Sequence, residues 1–170
     1  MKKYKKLLSV LTVCALSVSL AGCGNTSKGP GSSKDGNEQK VEKASMKLVS
    51  AVEKGKYKLV STEELKKWID EKQDMIIVDT MPKESYEKNK IPGAVNALLP
   101  VKMEDVKPEE KEAFLKALGD DKDKKIVLYC GFVACERSHV GAMIAKEAGF
   151  KNVYRHPGGI VAWMDAGYNK

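Results

Sequence analysis

Apolar and polar positions follow two rhythms along most of this chain. From about Met46 onward, short apolar runs of strand length are separated by stretches with helical spacing. Tyr57-Lys58-Leu59-Val60 reads as a short strand. Ser61 or Thr62 caps the next helix, with Glu64 the reciprocal acid after Ser61. Leu65, Trp68 and Ile69 form its apolar face. Met75-Ile76-Ile77-Val78 is a buried-strand pattern ending at Asp79, and Ala94-Val95-Asn96-Ala97 follows the turn Ile91-Pro92-Gly93 as a brief strand. Pro108 opens a helix at its first turn, with Ala113, Phe114, Ala117 and Leu118 facing inward and Gly119 stopping it. Lys125-Ile126-Val127-Leu128-Tyr129 is the clearest central strand. Val140, Met143, Ile144 and Ala148 then make a helical stripe that Gly149 terminates. Asn152-Val153-Tyr154 is a last short strand, and Gly158-Gly159 leads into a final helix through Ile160, Val161, Trp163 and Met164. Strands alternating with helices imply an α/β domain with parallel pairing and crossovers. In such a sheet, ligands gather at the carboxyl ends of the strands, and the residue ending the best strand is Cys130.

The first 45 residues break this rhythm. The basic stretch MKKYKK precedes the apolar run LLSVLTVCALSVSLAG, which suits a signal sequence better than a bilayer span. The run ends in Leu20-Ala21-Gly22-Cys23, which resembles the lipobox of bacterial lipoproteins. That resemblance implies cleavage before Cys23, lipidation of Cys23, and attachment to the extracytoplasmic face of the bacterial cell membrane. An ordinary secretory signal and an uncleaved anchor helix are the alternatives. Residues 24–45 are rich in Gly, Ser, Lys and Asn and poor in large apolar groups, so they read as a flexible tether. The expected organisation is a signal peptide over 1–22, a tether over 23–45 and one domain over 46–170.

Charge and cysteines narrow the chemistry. The net charge is +7, from 30 Lys and Arg against 23 Asp and Glu. Four of those lysines lie in residues 1–22, which hold no acid, so the remainder carries only +3. No aromatic-interleaved basic stripe is present, which argues against nucleic acid as a partner. With Cys14 in the signal and Cys23 lipidated, Cys130 and Cys135 remain for the folded part, in a compartment where disulfides persist. His139 and His156 stand apart from them without zinc-like spacing, so no metal or other cofactor is expected. A place behind the site or at the surface is the expectation for His139 and a loop role for His156.

The segment from Cys130 to Ser138 joins a strand to a helix. Backbone N–H groups in such a turn, and the positive end of the helix dipole, favour a thiolate and an anionic substrate. Arg137 adds a permanent cation. Cys130 is therefore expected to have a lowered pKa and to be nucleophilic; a buried, inert cysteine is the alternative.

Three separated stretches then resemble the rhodanese family, across roughly residues 57–170. The first is Ile77-Val78-Asp79-Thr80 through Tyr86 to Ile91-Pro92-Gly93-Ala94-Val95-Asn96. The second is the loop after Tyr129, ending in Arg137-Ser138. The third is Pro157-Gly158-Gly159-Ile160 through Ala162-Trp163 to Ala166-Gly167-Tyr168. The resemblance implies a single domain with a central parallel sheet flanked by helices on both faces. It implies a sulfurtransferase that holds sulfane sulfur as a persulfide on Cys130, with Arg137 binding the donor's anionic end or the departing group. Gly131, Phe132, Val133, Ala134, Glu136 and Ser138 would complete the anion cradle, Ser138 capping the helix or donating to the loop. The donor would be a small sulfur-containing anion or a persulfide, and the acceptor a thiol or a protein. The family's usual loop places four residues between cysteine and arginine, and related phosphatases of this fold place five; here six intervene. Met81 and Lys90 also depart from the family's frequent arginine and histidine. Cys135, inside the lengthened loop, is a candidate resolving thiol or a packing residue. A thiol–disulfide redox protein and a non-catalytic anion- or partner-binding module are the competing functions; the loop fits neither a phosphatase nor an arsenate reductase in length.

Overall fold

The computed structural model describes residues 36–168. The expected signal peptide and Cys23 lie outside the described residues. The first element is helix α1, Glu38–Gly55. It corrects the tether boundary, because residues 38–45 are helical. Ala44 and Leu48 are half-buried, and Ala51 and Gly55 are buried. This inward stripe at helical spacing carries the helix, while its polar residues face solvent.

Strand β1 is Lys58–Leu59, and helix α2 is Thr62–Asp70. Ser61 caps α2, its hydroxyl accepting from the Glu64 N–H at 3.1 Å. Next come β2 (Met75–Asp79), α3 (Lys83–Lys88) and β3 (Ala94–Asn96). A 3₁₀ turn at Met103–Asp105 precedes α4 (Pro108–Leu118) and β4 (Lys125–Tyr129). Helix α5 (Arg137–Glu147), β5 (Asn152–Arg155) and α6 (Gly159–Asp165) complete the order.

The five strands form one sheet in the order β1-β5-β4-β2-β3, with every pair parallel. β4 lies at its centre, and Ile126, Val127, Leu128 and Tyr129 are all fully buried. A strand covered on both faces is uniformly apolar, which is why β4 stands out in the sequence. Its side chains divide between two cores. Ile126 and Leu128 pack with Val78 of β2, Phe114 and Leu118 of α4, and Val140 and Ile144 of α5. Val127 and Tyr129 pack with Ile77, Leu65 and Trp68 of α2, and Ile160 and Trp163 of α6. Each such aliphatic side chain contributes about 1.5–3 kcal/mol on burial. Ala113, expected inward on α4, is exposed, and half-buried Leu115 packs against the core instead. α5 lies close against the sheet at Gly141, where a Cβ would come within 3.1 Å of Leu99 and 3.2 Å of Leu128. That close approach fixes the direction in which α5 leaves the loop after β4.

Candidate active site

The parallel register sets Tyr129 beside Asp79, so the chain leaves the sheet centre at Cys130. Cys130 is 1% exposed. Its carbonyl accepts from the Ile160 N–H at 2.9 Å, and the Gly131 carbonyl from the Val161 N–H at 3.1 Å. Gly159 makes this junction possible. It has φ +62°, and a Cβ there would sit 2.3 Å from the Cys130 oxygen. The start of the loop is thus clamped to the first turn of α6.

The loop then turns back over Cys130. The Cys135 N–H donates to the Phe132 carbonyl at 2.9 Å, which directs the Cys135 carbonyl inward. That oxygen accepts from the Cys130 thiol at 3.2 Å and from Arg155 Nη2 at 2.7 Å. Ser138 is buried in the first turn of α5, with Oγ 3.2 Å from Cys130 Sγ. Ser138 Oγ also accepts from Arg155 Nε at 2.9 Å. An arginine only donates, so the serine's own proton is left for the sulfur. Ser138 therefore serves the thiol and is not a helix cap; α5 has no side-chain cap.

The two cysteines are free thiols, and the Cys130 thiol meets Cys135 at its carbonyl oxygen. Cys135 is lowered to about 6, first by the hydrogen bond from Cys130, then by the N–H groups of Arg137 and Gly131 and by the Arg137 charge. Cys130 moves the other way, raised by its bond to Cys135 and by burial. The expectation of a lowered Cys130 is corrected. The amides of Gly131 and Arg137 favour charge on Cys135, which stands nearer the loop surface. Cys130 lies beneath it, away from water.

The other candidates are distributed around this pair. Gly131 and Arg137 supply the amides, and the Arg137 guanidinium donates to the Leu99 carbonyl. The Val133 carbonyl lies 3.5 Å from Arg155 Nη2. Phe132 and Ala134 are exposed at the rim. Glu136 pairs with Lys47 of α1 at 3.3 Å. His139 is buried, its Nδ1 2.9 Å from the Tyr57 hydroxyl. His156 is buried too, between the carbonyls of Val60 and Gly159 at 3.3 and 3.2 Å. His139 thus stands behind the site and not at the surface, and His156 lies in the β5–α6 loop, as expected, but with its ring buried. Among the described residues, no group of three or more His, Cys, Asp or Glu is placed to hold a metal ion.

Sequence reasoning missed Arg155. It is fully buried at the end of β5, yet no carboxylate among the described residues pairs with it. Its signal was a cation directly after the Val153-Tyr154 pair of a short strand. A groove of about 260 Å³ opens between the ends of β2 and α3 and the start of α6, lined in part by Asp79, Met81, Lys88 and Val161.

The family model for the rhodanese-like domain matches residues 61–166. The chain belongs to the rhodanese-like family. A tRNA uridine(34) hydroxylase of Wolbachia pipientis is 31% identical over 98 residues, which cover 57% of this chain and 32% of that protein. The rhodanese-like chain thus spans about a third of that relative's length. The same fold is seen in a thiosulfate sulfurtransferase from Pseudomonas aeruginosa, with TM-score 0.56, 18% identity, and coverage of 73% of this chain and 22% of that one. It recurs in the single-domain sulfurtransferase RDL2 of Saccharomyces cerevisiae, with TM-score 0.50 and 20% identity over 65% of this chain and 91% of that one. The rhodanese-like domain therefore has a five-stranded parallel sheet covered by helices on both faces.

Proposed function

We propose that this rhodanese-like domain is a sulfurtransferase that takes sulfane sulfur from a small anion such as thiosulfate, or from a persulfide, and hands it to a thiol. The observation that carries the reading is the thiol pair at the carboxyl end of β4, with one sulfur facing the amides of Gly131 and Arg137. Such donors hold a developing negative charge on sulfur without any added cofactor. The thiolate attacks the sulfane sulfur, the donor's sulfur–sulfur bond breaks, and sulfite leaves with the electron pair. Family membership and the anion-favouring loop both support this chemistry. We further propose that lipid on Cys23 holds the domain at the extracytoplasmic face of the cell membrane. Release of a Cys23→Ala chain from the membrane fraction is the expected outcome; retention removes the anchor.

The test of the sulfur chemistry is anaerobic incubation of the reduced chain with thiosulfate. One sulfite per chain is expected, with the sulfur recovered on the loop or as hydrosulfide. No sulfite, with both thiols unchanged by mass spectrometry, removes the sulfurtransferase reading. A thiol–disulfide redox role is the second reading, favoured by two free cysteines in one short loop. Reduction of a disulfide substrate without any turnover of thiosulfate would select it.

A further inference from the structure

Resting on the sulfurtransferase reading, we propose that the two cysteines act in reverse order to the family pattern: Cys135 takes the sulfur, and Cys130 then expels it as hydrosulfide, leaving a Cys130–Cys135 disulfide.

The geometry assigns the roles. A donor anion approaches from solvent, and Cys130 is 1% exposed. Its sulfur is enclosed by the Cys135 carbonyl at 3.2 Å and the Ser138 hydroxyl at 3.2 Å. Cys135 is only half-buried, and its sulfur stands where the Gly131 and Arg137 amides converge. An incoming anion therefore meets Cys135 first. Cys130 in turn lies against Cys135, its Sγ 3.2 Å from that residue's carbonyl oxygen. Its sulfur is held for attack from below, on the side away from the donor.

The steps balance. The Cys135 thiolate bonds to the sulfane sulfur of thiosulfate, and sulfite departs with the electron pair, leaving Cys135 as a persulfide anion. The Cys130 sulfur then attacks the inner sulfur of Cys135. The bond to the outer sulfur breaks, and that sulfur leaves with the electron pair and the Cys130 proton as hydrosulfide. Sulfane sulfur is reduced, and the two thiols are oxidised to one disulfide. A dithiol reductant supplies two electrons and two protons to reset the pair. Four residues separate the cysteines, and disulfide geometry demands close Cβ atoms; the turn that brings the Cys135 carbonyl within 3.2 Å of Cys130 Sγ sets the two residues side by side.

The full chain, reduced and freed of reductant without oxygen, is incubated with thiosulfate. Sulfite and sulfide are assayed, and the 130–135 peptide is mapped by mass spectrometry after alkylation. Wild type is expected to release one sulfite and one hydrosulfide per chain and to end as the disulfide. Cys130→Ser is expected to release sulfite but no sulfide, with the persulfide stranded on Cys135; Cys130→Ala repeats the test without a buried hydroxyl. Cys135→Ser is expected to slow sulfite release by about tenfold or more, as the remaining thiol lacks thiolate character. A stable persulfide on Cys130 in wild type, or unchanged sulfite release in Cys135→Ser, overturns this order while leaving the sulfurtransferase reading intact. Absence of sulfite from wild type instead fails that reading itself.

Discussion

Two buried polar clusters flank the carboxyl end of β4, and their bonding differs. On the α5 side, Arg155 reaches Ser138 Oγ at 2.9 Å, the Tyr57 hydroxyl at 3.4 Å and the Cys135 carbonyl at 2.7 Å. Tyr57 continues to His139. These partners lie on α5, on the loop and before β1, and through Ser138 they end on the Cys130 sulfur. On the α6 side, Tyr129 accepts from the Ile91 N–H at 3.1 Å and bonds Asp79, whose carboxylate accepts from the Met81 N–H at 2.8 Å. His156 is held between two backbone carbonyls. Apart from the Tyr129–Asp79 contact, the α6 side ties side chains to the main chain of fixed elements, which braces the sheet. The α5 side gathers side chains and the Cys135 carbonyl around a single cation. The second arrangement bonds directly to the Cys130 sulfur, through Ser138.

Replacing that cation should produce the largest effect. Arg155→Met leaves Ser138 Oγ and the Cys135 carbonyl short of a donor and is expected to cost about 3 kcal/mol in urea unfolding. It should also move the thiol alkylation rate profile to higher pH, because Ser138 is no longer oriented to donate to sulfur. The second readout decides between bracing and chemistry. A stability loss with an unmoved alkylation profile would make Arg155 a brace like Tyr129, and the contrast between the clusters would vanish.

Tyr129→Phe probes the other side. It strands the buried Ile91 N–H and removes a donor from Asp79, at an expected cost of about 1–3 kcal/mol. The loop keeps all its own partners, so sulfite release from thiosulfate should stay at the wild-type rate under folded conditions. A tenfold fall in that rate would show that the α6 side also tunes the sulfurs.

The contrast explains what could be read from the sequence. β4 was legible because burial on both faces makes an unbroken apolar run, and Cys130 was legible as the residue after it. Ser61, Pro108 and Gly149 marked their helix ends by local chemistry. The three signature stretches placed the family. The order of the two thiols was not legible. It depends on which sulfur the loop amides meet, and the longer loop changes that without changing any signature residue. Arg155 was hidden for a different reason: its partners Ser138 and Tyr57 lie 17 and 98 residues away. α3 was missed because its six residues bury no side chain. It is tied down by the Tyr86 hydroxyl, which donates to the Ala94 carbonyl at 2.7 Å. α1 was not read as a helix because its polar first turns hide the inward stripe behind them.

The smallest effect is one that neutral pH conceals. Each cluster contains a histidine, and burial lowers both His139 and His156 from the ordinary value of 6.5. A lowered group binds fewer protons folded than unfolded, so stability is whole above about pH 6.5 and declines as pH falls below it. Asp79, raised by burial, acts in the opposite direction further down, in the carboxylate range. Burial is the largest cause for both, and His156 is the more deeply buried at 1% exposed against 8%. Its two carbonyls favour protonation, as Glu136 does for His139, where Arg155, Lys54 and Lys47 oppose it. His156→Asn should therefore flatten the decline between pH 6.5 and 5 more than His139→Asn does, measured as urea midpoints at each pH. At pH 8 neither variant's pH slope should differ from wild type. If His139→Asn flattens the decline more, the α5 cluster is the more tightly sealed of the two, and its partners are fixed as firmly as the backbone ties of the α6 side.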